Sequence, residues 1–91
     1  MPPRALIVDD EPDIRELLAI TLGRMQLEVT TVGDFASAVK HLGSQRFDVC
    51  LTDMRLPDGT GLELVREVAQ NAGPPIAVIT AYGSAENAVA A

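Results

Sequence analysis

The sequence predicts an α/β fold, a doubly wound parallel sheet with helices on both faces. Two observations predict it. Short apolar runs with the length and bounds of buried parallel strands recur along the chain. Each is followed by a segment of helical period, so strand and helix alternate four times. No internal repeat, linker or low-complexity stretch interrupts the pattern, so residues 1–91 form one small domain.

Each element carries its own signal. Ala5-Leu6-Ile7-Val8 is a continuous apolar strand. Pro12 then suits a first helical turn, and Ile14, Leu17, Leu18, Thr21, Leu22 and Met25 recur at helical spacing up to Met25. Glu28 to Val32 is β-branched and strand-like. Asp34 can cap a short helix whose Phe35, Ala38, Val39 and Leu42 share one face, and Gly43 is expected to stop it. Phe47 to Thr52 is the third strand, and Arg55-Leu56-Pro57-Asp58-Gly59 is turn chemistry. Thr60-Gly61-Leu62-Glu63 has the form of a capping box, with Leu62, Val65, Val68 and Ala69 on one face after it. Gly73-Pro74-Pro75 breaks the chain before a fourth strand, Ile76 to Thr80, and Ser84 can cap a last Ala-rich helix.

Composition narrows the class. A hydrophobic share of 47% disfavours disorder, and aromatics at 3% mean an aliphatic core in which Phe35 and Phe47 are the large members. Net charge of −6 argues against direct nucleic-acid binding and against anionic membranes. The single cysteine, Cys50, lies within the third strand and reads as a buried, inert thiol. With neither a signal peptide nor a transmembrane stretch in view, the expected location is cytoplasmic.

Three acids carry the chemistry. Asp9 and Asp10 close the first strand, Asp53 closes the third and Thr80 the fourth. Ligands of open parallel sheets collect beyond the carboxyl ends of the strands, so the acids converge if strands one and three are neighbours. Like charges that close resist ionisation, and a hard divalent cation relieves them. Mg²⁺ fits, because it takes one or two carboxylates, keeps water and accepts a phosphoryl oxygen. Asp53, alone on its strand, is the candidate nucleophile for an aspartyl phosphate, with the Thr80 hydroxyl available to the phosphoryl group. The plainer reading of Asp10, before Glu11-Pro12, is a helix cap.

Taken together, Val8-Asp9-Asp10-Glu11, Leu51-Thr52-Asp53-Met54-Arg55-Leu56-Pro57-Asp58-Gly59-Thr60-Gly61 and Ile79-Thr80-Ala81-Tyr82-Gly83-Ser84 resemble the receiver domain of bacterial two-component response regulators. The wording around Asp53 and Thr80 is most similar to the NtrC class of sigma-54-dependent transcription activators. The resemblance implies a flavodoxin-like fold, a five-stranded parallel sheet in order 2-1-3-4-5 flanked by five helices. It implies that Asp53 accepts a phosphoryl group from a histidine of a sensor histidine kinase and is not an enzyme active site in the usual sense. Asp10 and Asp53 would ligate Mg²⁺ directly, Asp9 largely through water, and the Arg55 backbone carbonyl would complete the protein ligands. Thr80 would bind the phosphoryl group and Tyr82 would change rotamer with it. The family's lysine after a fifth strand has no counterpart here, since Lys40 belongs to the second helix. The expectation is therefore a C-terminally incomplete receiver with strand order 2-1-3-4, its fifth strand and helix missing, prone to dimerise or swap at the open edge.

Other residues are expected to do less. His41, Arg15, Arg24, Arg46 and Arg66 are scattered and read as solvated surface. A haloacid-dehalogenase-like phosphatase would want a second acid where Arg55 stands, and Pro57 marks Asp58 as a turn residue. A phosphorylation-silent docking module with the same fold is the alternative function. Gly59 and Gly61 lack the third glycine of a dinucleotide loop and follow the wrong strand.

Overall fold

The central element is β1 (Arg4–Val8), whose residues Ala5 to Val8 are fully buried because helices cover both of its faces. The computed structural model describes residues 2–79. β1 is followed by α1 (Pro12–Arg24), β2 (Glu28–Val32), α2 (Phe35–Ser44) and β3 (Val49–Asp53). A two-residue antiparallel ladder, β4 (Arg55–Leu56) with β5 (Gly59–Thr60), leads into α3 (Gly61–Gln70) and then β6 (Ile76–Ile79). β2, β1, β3 and β6 form one parallel sheet in that order. This is the expected doubly wound arrangement, and the strand order reverses between β1 and β3. The fourth-strand end at Thr80, Tyr82 and the helix expected after Ser84 lie outside the described residues.

The principal core lies on one face of the sheet. Leu6 and Val8 of β1 meet Ala38 of α2, Leu64 of α3, Phe47 and Cys50, with Phe35, Val39 and Leu42 packed around them. Burial pushes the Cys50 thiol up to about 12, so it is a packing group and a poor nucleophile. The other face is thinner. α1 packs against β1 and β2, yet its residues are half-buried at most.

Here the helical faces differ from expectation. On α1 the inward stripe is Ile14, Arg15, Leu18, Ala19 and Leu22, while Leu17, Thr21 and Met25 face solvent. On α3 the inward residues are Gly61, Leu64 and Val68, and Leu62 is exposed. Apolar residues exceed the width of one stripe on both helices, so period alone leaves the rotation open by one position. α2 also runs through Gly43 to Ser44. The left-handed positions that end helices are instead Gln26 (φ 66°) after α1 and Ala72 (φ 52°) after α3. In both, backbone N–H groups fold back in a Schellman pattern: Leu27 donates to the Leu22 carbonyl and Gly73 to that of Val68.

Two carboxylates serve the start of α2. Asp34 accepts from Ser37 N–H at 2.7 Å, as expected of a cap. Asp58, in the turn between β4 and β5, reaches across to accept from Phe35 N–H at 2.6 Å and Ala36 N–H at 3.0 Å. Gly59 makes the approach possible, since a methyl there would stand 3.1 Å from the Phe35 ring.

Candidate functional site

Strand register decides which acids meet. Val8 pairs with Thr52 across β1 and β3, so the residues that follow, Asp9 and Asp53, leave neighbouring strands in step. Asp10 is one residue further on. The result is a cluster in which one carboxylate oxygen each from Asp9, Asp10 and Asp53 lies within 4.8 Å of the others. The three expected acids are thus brought together at the carboxyl edge of the sheet, beside its topological switch point.

The three are not equivalent. Asp9 is 1% exposed, Asp53 is half-buried and Asp10 is exposed. Asp9 Oδ1 accepts from Glu11 N–H at 2.9 Å, whereas its Oδ2 is buried without a hydrogen-bond partner among the described residues. Burial pushes the Asp9 carboxyl above its ordinary range. The Glu11 N–H pulls it back, the Asp53 and Asp10 charges push it up again, and Arg15 draws it down. An orphaned buried oxygen with two carboxylates beside it is an arrangement a hard cation completes. The plainer alternative for Asp10, a helix cap, is not seen: α1 has Glu11 at its N-cap, with no side-chain cap.

Asp53 is fastened by its surroundings. Its Oδ1 accepts from Met54 N–H at 2.8 Å, and Gly61 N–H donates to the Met54 carbonyl at 2.8 Å. A methyl on Gly61 would run into the Asp53 carbonyl, so glycine is what lets α3 start this close to the acid. Arg55 opens β4 two residues beyond Asp53, with its side chain exposed. Thr80 and Tyr82 fall outside the described residues.

Two contributors escape a reading of the sequence. Arg15, expected as solvated surface, is half-buried and its Nη1 donates to the Asp9 carbonyl at 2.7 Å. Asp58, expected as a turn residue, also fastens the hairpin after Asp53 to α2. The available signal was an arginine one turn into the helix that follows an acidic strand end. His41, likewise expected as solvated, is half-buried, and its Nδ1 lies 2.8 Å from the Ser37 carbonyl of its own helix. Among the described residues no helix is long and apolar enough to cross a membrane.

Comparison with known proteins agrees with this geometry. Residues 5–91 match the family model described as the response regulator receiver domain. The chain is 56% identical over 89 residues to the response regulator protein PilR of Pseudomonas aeruginosa, covering 97% of this chain and 20% of that protein's length. Among solved structures it resembles a chain from the complex of histidine kinase ThkA with response regulator protein TrrA, at 36% identity and TM-score 0.81, covering 88% of this chain and 70% of that one. It also resembles the chemotaxis response regulator CheY4 of Vibrio cholerae, at 33% identity and TM-score 0.82, covering 96% and 75%. With the parallel sheet, the switch point and the acidic edge in place, the chain belongs to the receiver-domain family of two-component response regulators, a family of regulators and not of enzymes.

Proposed function

We propose that this receiver domain stores a phosphoryl group on Asp53, with Mg²⁺ held by the acidic trio, and that this switches an output elsewhere in its protein. The observation that carries the reading is the convergence of Asp9, Asp10 and Asp53 within 4.8 Å, with Asp9 Oδ2 buried and unsatisfied among the described residues. We assign direct ligation to Asp10, Asp53 and the Arg55 carbonyl, and a water-mediated contact to Asp9. When bound, the cation supplies positive charge against the negative charge of the incoming phosphoryl group.

The chain's own residues do the rest. Met54 N–H holds Asp53 Oδ1, which leaves Oδ2 as the attacking oxygen. An Oδ2–P bond forms while the P–N bond of a phosphohistidine breaks, and the departing imidazole nitrogen keeps the electron pair and takes a proton from solvent. The donor in this reading is a sensor histidine kinase, supported by the likeness to a regulator solved with one. Thr80 would hydrogen-bond the phosphoryl oxygens and Tyr82 would respond to it, the two-state element that the new charge biases. A cytoplasmic location and an NtrC-class transcriptional output are parts of the same proposal, supported by the identity to PilR. Among the described residues β6 pairs on one side only, with β3. Self-association of this polypeptide along the other side would make its sedimentation coefficient rise with concentration; a constant monomer value would refute it.

Incubation with a small phosphodonor and Mg²⁺ tests the core of the proposal. Intact-mass analysis is expected to show one added phosphoryl group on the chain and none on Asp53→Asn. Equal labelling of that variant would overturn the assignment. Absent labelling of the unmodified chain would favour the phosphorylation-silent docking module.

A further inference from the structure

The turn that carries Asp9 and Asp10 is pinned at three points. Asp9 N–H donates to the Val32 carbonyl of β2 at 3.1 Å, and Asp9 Oδ1 accepts from Glu11 N–H at 2.9 Å. Such bonds are within reach of any acidic strand-to-helix turn. The third comes from a side chain further along: Arg15 Nη1 donates to the Asp9 carbonyl at 2.7 Å from one turn inside α1. Gly33 opens the slot for that guanidinium, since a methyl there would stand 3.1 Å from Nη1 and 3.8 Å from the Asp9 carbonyl oxygen.

We infer that Arg15 is a positioning residue for the divalent cation: by holding the Asp9 carbonyl it fixes the Asp9–Asp10 peptide and so aims the Asp10 carboxylate at Asp53. Asp10 is exposed, so side-chain packing does little to direct it, and the orientation of its backbone decides where its oxygens go. The guanidinium also brings positive charge beside the trio, which by charge alone opposes a cation. Aim outweighs charge here, because a planar fork in a fitted slot fixes a direction that a mobile ammonium does not. The inference rests on the cation reading proposed above and names the residue that makes the exposed acid competent.

Calorimetric titration of the chain with MgCl₂ at fixed ionic strength tests it, alongside Arg15→Met, Arg15→Lys and Gly33→Val, with Asp10→Ala as reference. Arg15→Met is expected to weaken Mg²⁺ binding about tenfold, the lower end of what a lost outer partner does to a metal site. Arg15→Lys should fall between, and Gly33→Val should match Arg15→Met although the arginine is still present. Urea midpoints without metal separate these effects from loss of fold. Unchanged or tighter binding by Arg15→Met overturns the inference. Absence of binding by the unmodified chain overturns the cation reading instead, and amide exchange at Glu11 without metal then judges Arg15 by itself. Faster exchange in Arg15→Met, or in Arg15→Lys should the first variant not fold, supports the pinning; an unchanged rate rejects it.

Discussion

Two groups of aspartates in this domain face opposite fates. Asp34 and Asp58 meet at the N-terminus of α2, where their oxygens receive the N–H groups of Phe35, Ala36 and Ser37. The Ser37 hydrogen bonds hold the Asp34 carboxyl below its ordinary range. Asp9, Asp10 and Asp53 meet instead at the edge of a parallel sheet, where burial and mutual repulsion push Asp9 the other way. Identical side chains thus stabilise the fold at one place and oppose it at the other. What differs is the supply of backbone donors: a helix start offers several unpaired N–H groups, whereas sheet pairing has already used most of those near the strand ends. Acids kept where the fold does not satisfy them mark the place where a ligand is to do so.

The contrast can be broken by experiment, and the largest expected effect is that of the cation. At about a hundredfold its dissociation constant, Mg²⁺ should raise unfolding free energy by about 2.7 kcal/mol through linkage alone. Urea titrations of the chain should show this gain, and Asp10→Ala should lose most of it. Next in size, Asp58→Ala should cost about 1–2 kcal/mol with or without metal, because two N–H groups at the start of α2 lose their acceptor. Asp9→Asn should move stability in the opposite direction. Without metal it is expected to gain about 1 kcal/mol, because the neutral amide sheds a buried charge and its repulsion by Asp53 and Asp10. A destabilised Asp9→Asn would show that the trio holds the fold together as Asp34 and Asp58 do.

The smallest effect is in the pH dependence, and its sign separates the groups. Asp9 is raised in the fold, so the folded state holds its proton longer than the unfolded chain does. Its contribution therefore worsens as pH climbs from about 4 through the raised value, and is fully unfavourable above it. Asp34 is lowered, so its contribution is complete above about pH 4 and is lost as pH falls through the depressed value. Metal-free melts should show the gap between unmodified protein and Asp9→Asn shrinking as pH drops towards 4. The gap to Asp34→Ala should hold to that point and close below it.

Much of the fold was legible in the order of residues because its signals are local. β2 and the capping residues Asp34 and Thr60 stand where they were expected, since strand bias and capping act within a few residues. The rotations of α1 and α3 are not legible in the period, because both helices carry more apolar residues than one stripe holds. Leu64, fully buried, lay unmarked beside the exposed Leu62. Within the site, the trio was foreseen from the ends of two apolar runs. Arg15 and Asp58 were not, because their partners are fixed only by folding: a carbonyl of a turn in one case, and N–H groups 22 and 23 residues away in the other.

By itself, the sequence determined the alternation of strands and helices, the caps, and the stations of the acids at strand ends. These follow from periodicity and side-chain chemistry over one or two turns of chain. Tertiary structure decided that β3 lies against β1 in a register that sets Asp53 level with Asp9. It decided also that Asp9 is buried while Asp10 is open, and that a guanidinium threads past Gly33 to hold the turn between them. The reason is physical. Burial, repulsion and aim depend on distances between segments far apart in sequence, and those distances exist only once the sheet has assembled.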